Sequence, residues 1–158
     1  MTTTTDAGTA ETYICTTPDQ TFEIGRSIGS RLRHGDAILL TGGLGGGKTL
    51  LTKGIVDALG FDIDEVTSPS FTLVNLYKTD KADVYHIDLW RIDQSADPIF
   101  AVGLDELTQQ EDTIVIIEWA EQLGAYKFPA TVYRATIKGD GDDARTVTVE
   151  IETPVRAI

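Results

Sequence analysis

The fold is decided by the stretch AILLTGGLGGGKT at residues 37–49. Its apolar first half is typical of a strand that is buried in a parallel sheet. Its second half satisfies the pattern G-x-x-x-x-G-K-[ST], in which glycine-rich backbone cradles phosphate groups. Apolar side chains then recur at helical spacing over residues 50–59, until Gly60 ends the run. Strand, glycine loop and helix therefore follow one another in the order that this motif requires.

The glycine loop has the chemistry to hold a nucleoside triphosphate with Mg²⁺. Glycines let successive backbone N–H groups turn toward phosphate oxygens, and the helix that follows adds its positive end. Lys48 can reach the β- and γ-phosphates, and the Thr49 hydroxyl can bind Mg²⁺. The sequence lacks the N-K-x-D motif that recognises guanine, which leaves adenine as the default base. The residues that we expect to bind ATP are Gly42, Gly43, Leu44, Gly45, Gly46, Gly47, Lys48 and Thr49.

The segment before this stretch predicts a strand and a helix. Residues 12–15, TYIC, are typical of a short strand. Thr17 can cap a helix that begins with Pro18, because a threonine cap and a proline in the first turn are both strong start signals. We expect this helix to end at His34-Gly35, where the periodic apolar run gives way to a glycine.

The second half of the chain predicts strands in two different settings. Two strand-like runs at residues 71–77 and 83–90 are separated by five residues, which is typical of an antiparallel hairpin. A helix is expected over residues 96–109. The fully apolar run TIVIIE at residues 113–118 predicts a second buried strand. A hairpin with alternating apolar and polar residues closes the chain.

Length and pattern together define the fold class. The 158 residues fit one domain, which we place over residues 11–158, after a threonine-rich disordered tail at residues 1–10. We predict an α/β domain with a P-loop NTPase-like mixed sheet. This sheet is parallel around the glycine loop and antiparallel elsewhere, and helices flank it.

Composition limits the classes of function. Aspartate and glutamate number 25 against 13 lysines and arginines, for a net charge of −12, which opposes a main role in gripping DNA or an anionic membrane. No apolar run approaches the ~18 residues that a membrane-spanning helix needs, and the first residues lack the pattern of a secretory signal. The single Cys15 fits a reducing compartment. We therefore expect a cytoplasmic protein.

Two carboxylates compete to complete the Mg²⁺ site. Glu118 ends the second buried strand, where an acid at the carboxyl edge of a parallel sheet is expected to face the phosphates. Asp88 lies near the end of a hairpin strand whose alternation places His86, Asp88 and Trp90 on one face. For each acid the alternative is a solvated strand end. For His86 we expect a packed or hydrogen-bonded histidine, because no second metal ligand lies at suitable spacing.

Four segments together resemble the bacterial TsaE ATPases. They are the glycine loop, TSPSFTLVNLY, VYHIDLWR and IEWAE, all within residues 17–124. The resemblance implies an ATPase that takes part in making N6-threonylcarbamoyladenosine at position 37 of tRNA. It also implies that the protein works with TsaB and TsaD partners and meets tRNA through them. Turnover is then expected to be slow alone and faster with the partners.

The resemblance assigns roles to the candidate catalytic and metal-binding residues. Lys48 and Thr49 hold the phosphates and Mg²⁺. Glu118 is the second acid of the Mg²⁺ site, and Asp88 is a required carboxylate near the γ-phosphate. Whether Asp88 is a general base or a partner of the metal site stays open at this point.

The resemblance also assigns residues near the nucleotide. Trp119 lies close to the nucleotide, and Thr17 lies near the adenine. Residues 68–72 and 85–91 correspond to switch-like segments that respond to the state of the nucleotide. Partner engagement is expected to act through these segments.

Two other functions use the same loop. A small-molecule kinase carries a lid with clustered arginines, whereas the seven arginines of this chain are scattered. A nucleotide-dependent assembly switch with negligible turnover needs the same loop and Mg²⁺ ligands as a slow ATPase. On the first helix, Arg26, Arg31 and Arg33 form either a solvated face or a docking patch for a partner or tRNA phosphate.

Overall fold

The computed structural model describes residues 2–5, 8–43, 47–69, 72–93, 95–139 and 141–154. The strands in these residues are β1 (Thr2–Thr5), β2 (Gly8–Cys15), β3 (Ala37–Gly42), β4 (Val74–Lys78), β5 (Asp83–Asp88), β6 (Thr113–Glu118), β7 (Val132–Lys138) and β8 (Arg145–Glu152). The helices are α1 (Pro18–Arg31), α2 (Lys48–Ala58), α3 (Pro98–Val102) and α4 (Leu104–Thr108), with short 3-10 helices at Ile63–Glu65 and Ala120–Leu123.

The described strands form one mixed sheet in the order β1-β2-β8-β7-β3-β6-β5-β4. The four central strands β7, β3, β6 and β5 are parallel, whereas β1, β2, β8 and β4 are attached by antiparallel pairing. This confirms the predicted fold class, including both hairpins and the parallel strands beside the glycine loop. The carboxyl ends of β3, β5 and β6 meet at one edge, which we call the carboxyl edge and define by Gly42, Asp88 and Glu118.

The core lies on both faces of this sheet. On one face α1 and α2 pack against β3 and β6, with Ile28, Leu51 and Ile55 buried against inward residues of these strands. On the other face α4 and the 3-10 helix at Ala120–Leu123 cover the alternate residues, among them Leu39. The sheet is therefore shielded on both sides, as parallel strands require. None of the helices in the described residues is long and apolar enough to cross a membrane.

Helix α1 begins as predicted and ends earlier than predicted. The Thr17 hydroxyl accepts from the Gln20 backbone N–H at 3.3 Å, and Pro18 occupies the first helical position. The Gln20 side chain accepts from the backbone N–H of Thr16 at 2.6 Å, one residue before the cap. The helix stops at Arg31 because Leu32 takes an extended conformation, with φ −71° and ψ 145°.

Glycines let α1 and α2 cross at close range. A Cβ on Gly25 would strike the Leu51 carbonyl oxygen, and a Cβ on Gly54 would strike the Phe22 carbonyl oxygen. Backbone of one helix therefore lies directly on backbone of the other. This contact fixes the position of α2, and with it the position of Lys48 at its start.

Two predicted elements differ from the structure. Residues 1–10 were expected to be a disordered tail, yet Thr2–Thr5 pairs antiparallel with the start of β2. The tail was predicted because these residues show no apolar periodicity. Threonine is β-branched, however, and favours extended backbone even without such a pattern. The helix expected over residues 96–109 is divided into α3 and α4, because Gly103 takes a left-handed conformation with φ 66°.

Candidate active site

Lys48 is a buried cation at the start of α2. Its Nζ donates to the carbonyl oxygens of Gly42 at 2.7 Å and Gly43 at 2.9 Å. It also lies 4.3 Å from the centroid of the Trp119 ring, a cation–π distance. Burial lowers the pKa of Lys48, while the negative charge of Glu118 and other nearby acids acts to raise it. The lysine therefore rests on carbonyl groups of its own loop, within reach of the acids.

The start of α2 presents backbone N–H groups to the same place. Gly47 caps the helix with φ 105°, a left-handed conformation that favours glycine, and contributes no side-chain cap. The first N–H groups of a helix are unpaired within it and favour anions. Thr49, in the first turn, is half-buried beside Lys48. The site residues Leu44, Gly45 and Gly46 lie outside the described residues, as do residues 70 and 71 of the expected switch-like segment 68–72.

Asp88 and Glu118 are neighbours at the carboxyl edge. They are direct partners in the β5–β6 register and are 5% and 3% exposed, so neither is a solvated strand end. Asp88 accepts from the Trp90 backbone N–H at 2.8 Å and from the Ser68 hydroxyl at 3.5 Å. Burial raises the pKa of Asp88; the Trp90 N–H opposes this rise, and the charge of Glu118 adds to it.

His86 is hydrogen-bonded in the core, as the sequence predicts. Its Nε2 lies 2.5 Å from Oε2 of Glu118, and its Nδ1 lies 3.0 Å from the Tyr77 hydroxyl. The ring has no exposed surface. Sequence reasoning missed Tyr77 because the contact depends on the register between β4 and β5, which no local pattern shows.

Trp119 turns the chain at the end of β6. It has φ 59°, a left-handed conformation that costs energy for a bulky residue and is typical of functional sites. Its ring packs against Trp90 with the centroids 4.3 Å apart, while Trp90 is 44% exposed. Trp119 thus contacts both Lys48 and a surface tryptophan. The family resemblance predicts Trp119 near the nucleotide, whereas its ring contact with Trp90 has no signal in the sequence.

Thr17 lies at a separate cavity of about 340 Å³ beside the start of α2. The cavity is bounded by the start of α1, by Gly47 and by the β7–β8 turn, where Asp142 and Arg145 line it. The Arg145 guanidinium donates to the carbonyl oxygens of Gly141 at 3.1 Å and Asp143 at 2.5 Å. The structure therefore brings the C-terminal hairpin to the loop, although its sequence carries no site motif.

The arginines of α1 are engaged within the chain. Arg26 pairs with Asp57 at 3.0 Å, and Arg31 pairs with Glu11 at 3.3 Å. Arg33 is exposed. Because two of the three cations already have carboxylate partners, this helix face fits the solvated-face interpretation better than the docking patch.

The residues at the carboxyl edge fit a bound Mg²⁺ ion. The available donors are the carboxylates of Asp88 and Glu118 and the hydroxyl of Thr49, all oxygen groups of the kind that Mg²⁺ prefers. Among the described residues no group of three or more His, Cys, Asp or Glu could hold a metal by itself. That is compatible with Mg²⁺, which nucleotide sites bind through one or two carboxylates together with the phosphates.

The strand, glycine loop and helix, with a buried lysine beside two carboxylates, define a P-loop NTPase-like fold. The family model described as "Threonylcarbamoyl adenosine biosynthesis protein TsaE" matches residues 15–147. The chain belongs to this family, and the resemblance inferred from its motifs is confirmed.

Individual relatives agree with the family match. The protein named "tRNA threonylcarbamoyladenosine biosynthesis protein TsaE" in Bacillus subtilis (strain 168) is 32% identical over 131 residues, which cover 83% of this chain and 79% of that protein. The protein of the same name in Streptomyces coelicolor is 34% identical over 134 residues, which cover 80% and 87%. The crystal structure of Bacillus subtilis YdiB matches with a TM-score of 0.69 at 27% identity, covering 98% of this chain and 88% of that one.

Proposed function

We propose that the chain binds ATP with Mg²⁺ at the glycine loop and hydrolyses it as a component of the tRNA threonylcarbamoyladenosine machinery. The observation that carries the proposal is the burial of Lys48, Asp88 and Glu118 at one edge of the sheet, where Lys48 contacts the ring of Trp119, the residue after Glu118. Burying charged groups costs free energy, and buried titratable groups of this kind cluster at functional sites. Membership of the TsaE family supplies the biological setting.

Each residue of the site has a separate role in this proposal. Lys48 leaves the Gly42 and Gly43 carbonyls and donates to the β- and γ-phosphates, next to the N–H groups at the start of α2. Thr49 and Glu118 would hold Mg²⁺, whose charge would stabilise the negative phosphate oxygens. Asp88 orients or deprotonates the attacking water, and its raised pKa makes it a better proton acceptor than an ordinary aspartate.

The cavity at Thr17 is our proposed adenine site. It lies against Gly47, the cap of α2, so a nucleotide whose phosphates lie at the start of α2 extends naturally toward it. Its volume of about 340 Å³ falls within the range of small-molecule sites. The β7–β8 turn, held by Arg145, forms its outer wall.

Partners complete the proposed function. With a net charge of −12 the chain is poorly suited to bind tRNA phosphates directly, so we assign tRNA contact to the TsaB–TsaD complex. Asp88 accepts from the Ser68 hydroxyl, and Glu118 is linked to the Thr67 carbonyl oxygen through His86 and Tyr77. A partner that moves residues 67–68 can therefore change the rate. The setting is cytoplasmic, where tRNA is modified. An assembly switch with negligible turnover would use the same contacts.

The test is ATP hydrolysis by the purified chain, alone and with TsaB and TsaD. We expect slow turnover alone, a clear rise with the partners, and a loss of roughly a hundredfold or more in Lys48→Ala, because one charge-stabilising donor contributes that much. Lys53→Ala, a lysine change on the same helix, is the matched control and should keep wild-type turnover. Bound Mg-ATP without turnover in either setting would favour the assembly switch, and no ATP binding would contradict the proposal.

A further inference from the structure

Buried polar side chains form a chain of contacts behind Glu118. Oε2 of Glu118 lies 2.5 Å from Nε2 of His86, and Nδ1 of His86 lies 3.0 Å from the Tyr77 hydroxyl. The same hydroxyl lies 3.0 Å from the carbonyl oxygen of Thr67. His86, Tyr77 and Glu118 are each no more than 4% exposed. A continuous path of polar contacts therefore joins Glu118 to the backbone of Thr67.

The register of the sheet creates this path. Tyr77 pairs with Val84 and Asn75 pairs with His86 in the β4–β5 hairpin, so Tyr77 and His86 are diagonal neighbours on one face. Glu118 stands opposite Asp88 in the parallel β5–β6 pair and is diagonal to His86 on that face. Removing any member leaves a buried polar group without its partner, which is costly.

Residues 67–68 also contact the second carboxylate. The Ser68 hydroxyl lies 3.5 Å from Oδ2 of Asp88. Thr67 is held in turn by the Asn75 amide, whose nitrogen donates to its carbonyl oxygen at 3.3 Å and its hydroxyl at 3.2 Å. One dipeptide thus contacts Asp88 directly and Glu118 through two buried side chains. The two acids of the proposed site therefore depend on the same short piece of backbone.

We propose that His86 and Tyr77 are positioning residues that transmit the position of residues 67–68 to the carboxylate of Glu118. A ligand or partner that displaces residues 67–68 then changes how Glu118 binds Mg²⁺ with nucleotide. This inference rests on the proposed function, since it requires Mg²⁺ and nucleotide at the glycine loop. Outer partners of metal-binding carboxylates commonly change metal affinity by about 10–100-fold.

The sharpest variant is Tyr77→Phe, which removes the hydroxyl and keeps the ring that packs 4.9 Å from Phe61. We expect ATP affinity measured in EDTA to stay within about twofold of wild type. The gain in affinity that Mg²⁺ brings should fall roughly tenfold. The matched control is Tyr85→Phe on β5, whose hydroxyl donates to Gln110 at 3.0 Å, away from the path; it should change neither quantity.

A second readout needs no nucleotide. We expect Tyr77→Phe to speed amide hydrogen exchange at residues 67 and 68 severalfold, because it removes the hydroxyl that donates to the Thr67 carbonyl oxygen. Glu118→Gln alone should speed exchange less, and adding it to Tyr77→Phe should give little further increase, because the path from Glu118 to Thr67 is then already broken. Additive effects of the two changes would show independent roles and overturn the inference.

The outcomes separate this inference from the proposed function. A wild-type chain whose ATP affinity does not respond to Mg²⁺ contradicts the proposed function, and the inference falls with it. A wild-type response that Tyr77→Phe and His86→Gln both leave intact overturns the inference alone. If Tyr77→Phe and His86→Gln lower ATP affinity equally with and without Mg²⁺, the role of Tyr77 and His86 is merely structural. That result also overturns the inference.

Discussion

Two histidines contact carboxylates at opposite edges of the same sheet. At the edge where β3, β5 and β6 begin, Nδ1 of His34 lies 2.9 Å from Asp112, and its side chain is 52% exposed. At the carboxyl edge, Nε2 of His86 lies 2.5 Å from Glu118, and its side chain is fully buried. Asp112 immediately precedes β6 and Glu118 is its last residue. The same chemical pair therefore occurs at both ends of one strand.

Burial is what separates these two pairs. Water can replace either partner of the His34 pair, so that contact is a modest surface link between β-strand ends. Each histidine has a second partner, the Lys81 carbonyl oxygen for His34 and the Tyr77 hydroxyl for His86. Because His86 has no exposed surface, water cannot replace Glu118 as its partner. At the carboxyl edge, where parallel strands and a helix start meet, four titratable side chains are buried, namely Lys48, His86, Asp88 and Glu118.

The largest expected effect contrasts the acids of the two edges. Asp88→Asn should lower ATP turnover roughly a thousandfold, because a positioned proton acceptor typically contributes 10²–10⁴-fold. ATP binding should remain. Asp112→Asn, the matched change at the other edge, should leave turnover unaltered, because asparagine tolerates its left-handed conformation with φ 59°. Single-turnover kinetics measure the turnover of both variants, and calorimetry measures their ATP binding. Loss of ATP binding in Asp88→Asn would instead show that Asp88 binds the metal.

The next effect concerns stability. His86→Ala should lower the free energy of unfolding by about 3–5 kcal/mol, since it leaves Glu118 buried without its partner. His34→Ala should cost no more than about 1 kcal/mol, as expected for an exposed pair. Urea unfolding of both variants measures the contrast. Similar costs for the two would show that burial does not separate the pairs as we infer.

The smallest effect is a pH dependence at the edge where the parallel strands begin. Asp36 is 5% exposed, and burial raises its pKa despite the hydrogen bond from the Arg33 N–H. Folding therefore favours the protonated form of Asp36, and this preference adds to the stability of the fold at low pH. The added stability is lost as pH rises from the ordinary aspartate pKa of about 3.9 through the raised pKa of the folded state.

The replacement Asp36→Asn isolates this contribution. Relative to the variant, the wild type should lose stability as pH rises through that window. Urea midpoints at about pH 4 and about pH 7 check the sign. A difference between wild type and variant that moves in the opposite direction would contradict the account of Asp36.

Much of the fold could be predicted because its signals are local. The strand, glycine loop and helix at residues 37–58 follow from periodicity and glycine placement, and both hairpins follow from alternation and short turns. Two features could not be predicted in this way. The break at Gly103 depends on the conformation of one residue, and the strand Thr2–Thr5 lacks the apolar alternation that marks the other hairpins. Local sequence patterns therefore predict helices and strands well but predict breaks within them poorly.

The candidate site divides in the same way. Lys48 lies in a motif, and Glu118 and Asp88 were identified by their places at strand ends; the structure brings all three to the carboxyl edge. Tyr77 and Arg145 could not be found from sequence. Their contacts depend on the register between strands or on a turn returning to the loop from far along the chain. Tertiary register, which no short window of residues encodes, supplies this missing part.

The most direct test of the central claim is a calorimetric titration of ATP into the wild-type chain with and without Mg²⁺. We predict that ATP binds, that Mg²⁺ strengthens the binding, and that Lys48→Ala abolishes it while Lys53→Ala preserves it. Absence of binding by the wild type, or equal binding by Lys48→Ala, would contradict the claim that the carboxyl edge is a Mg-ATP site.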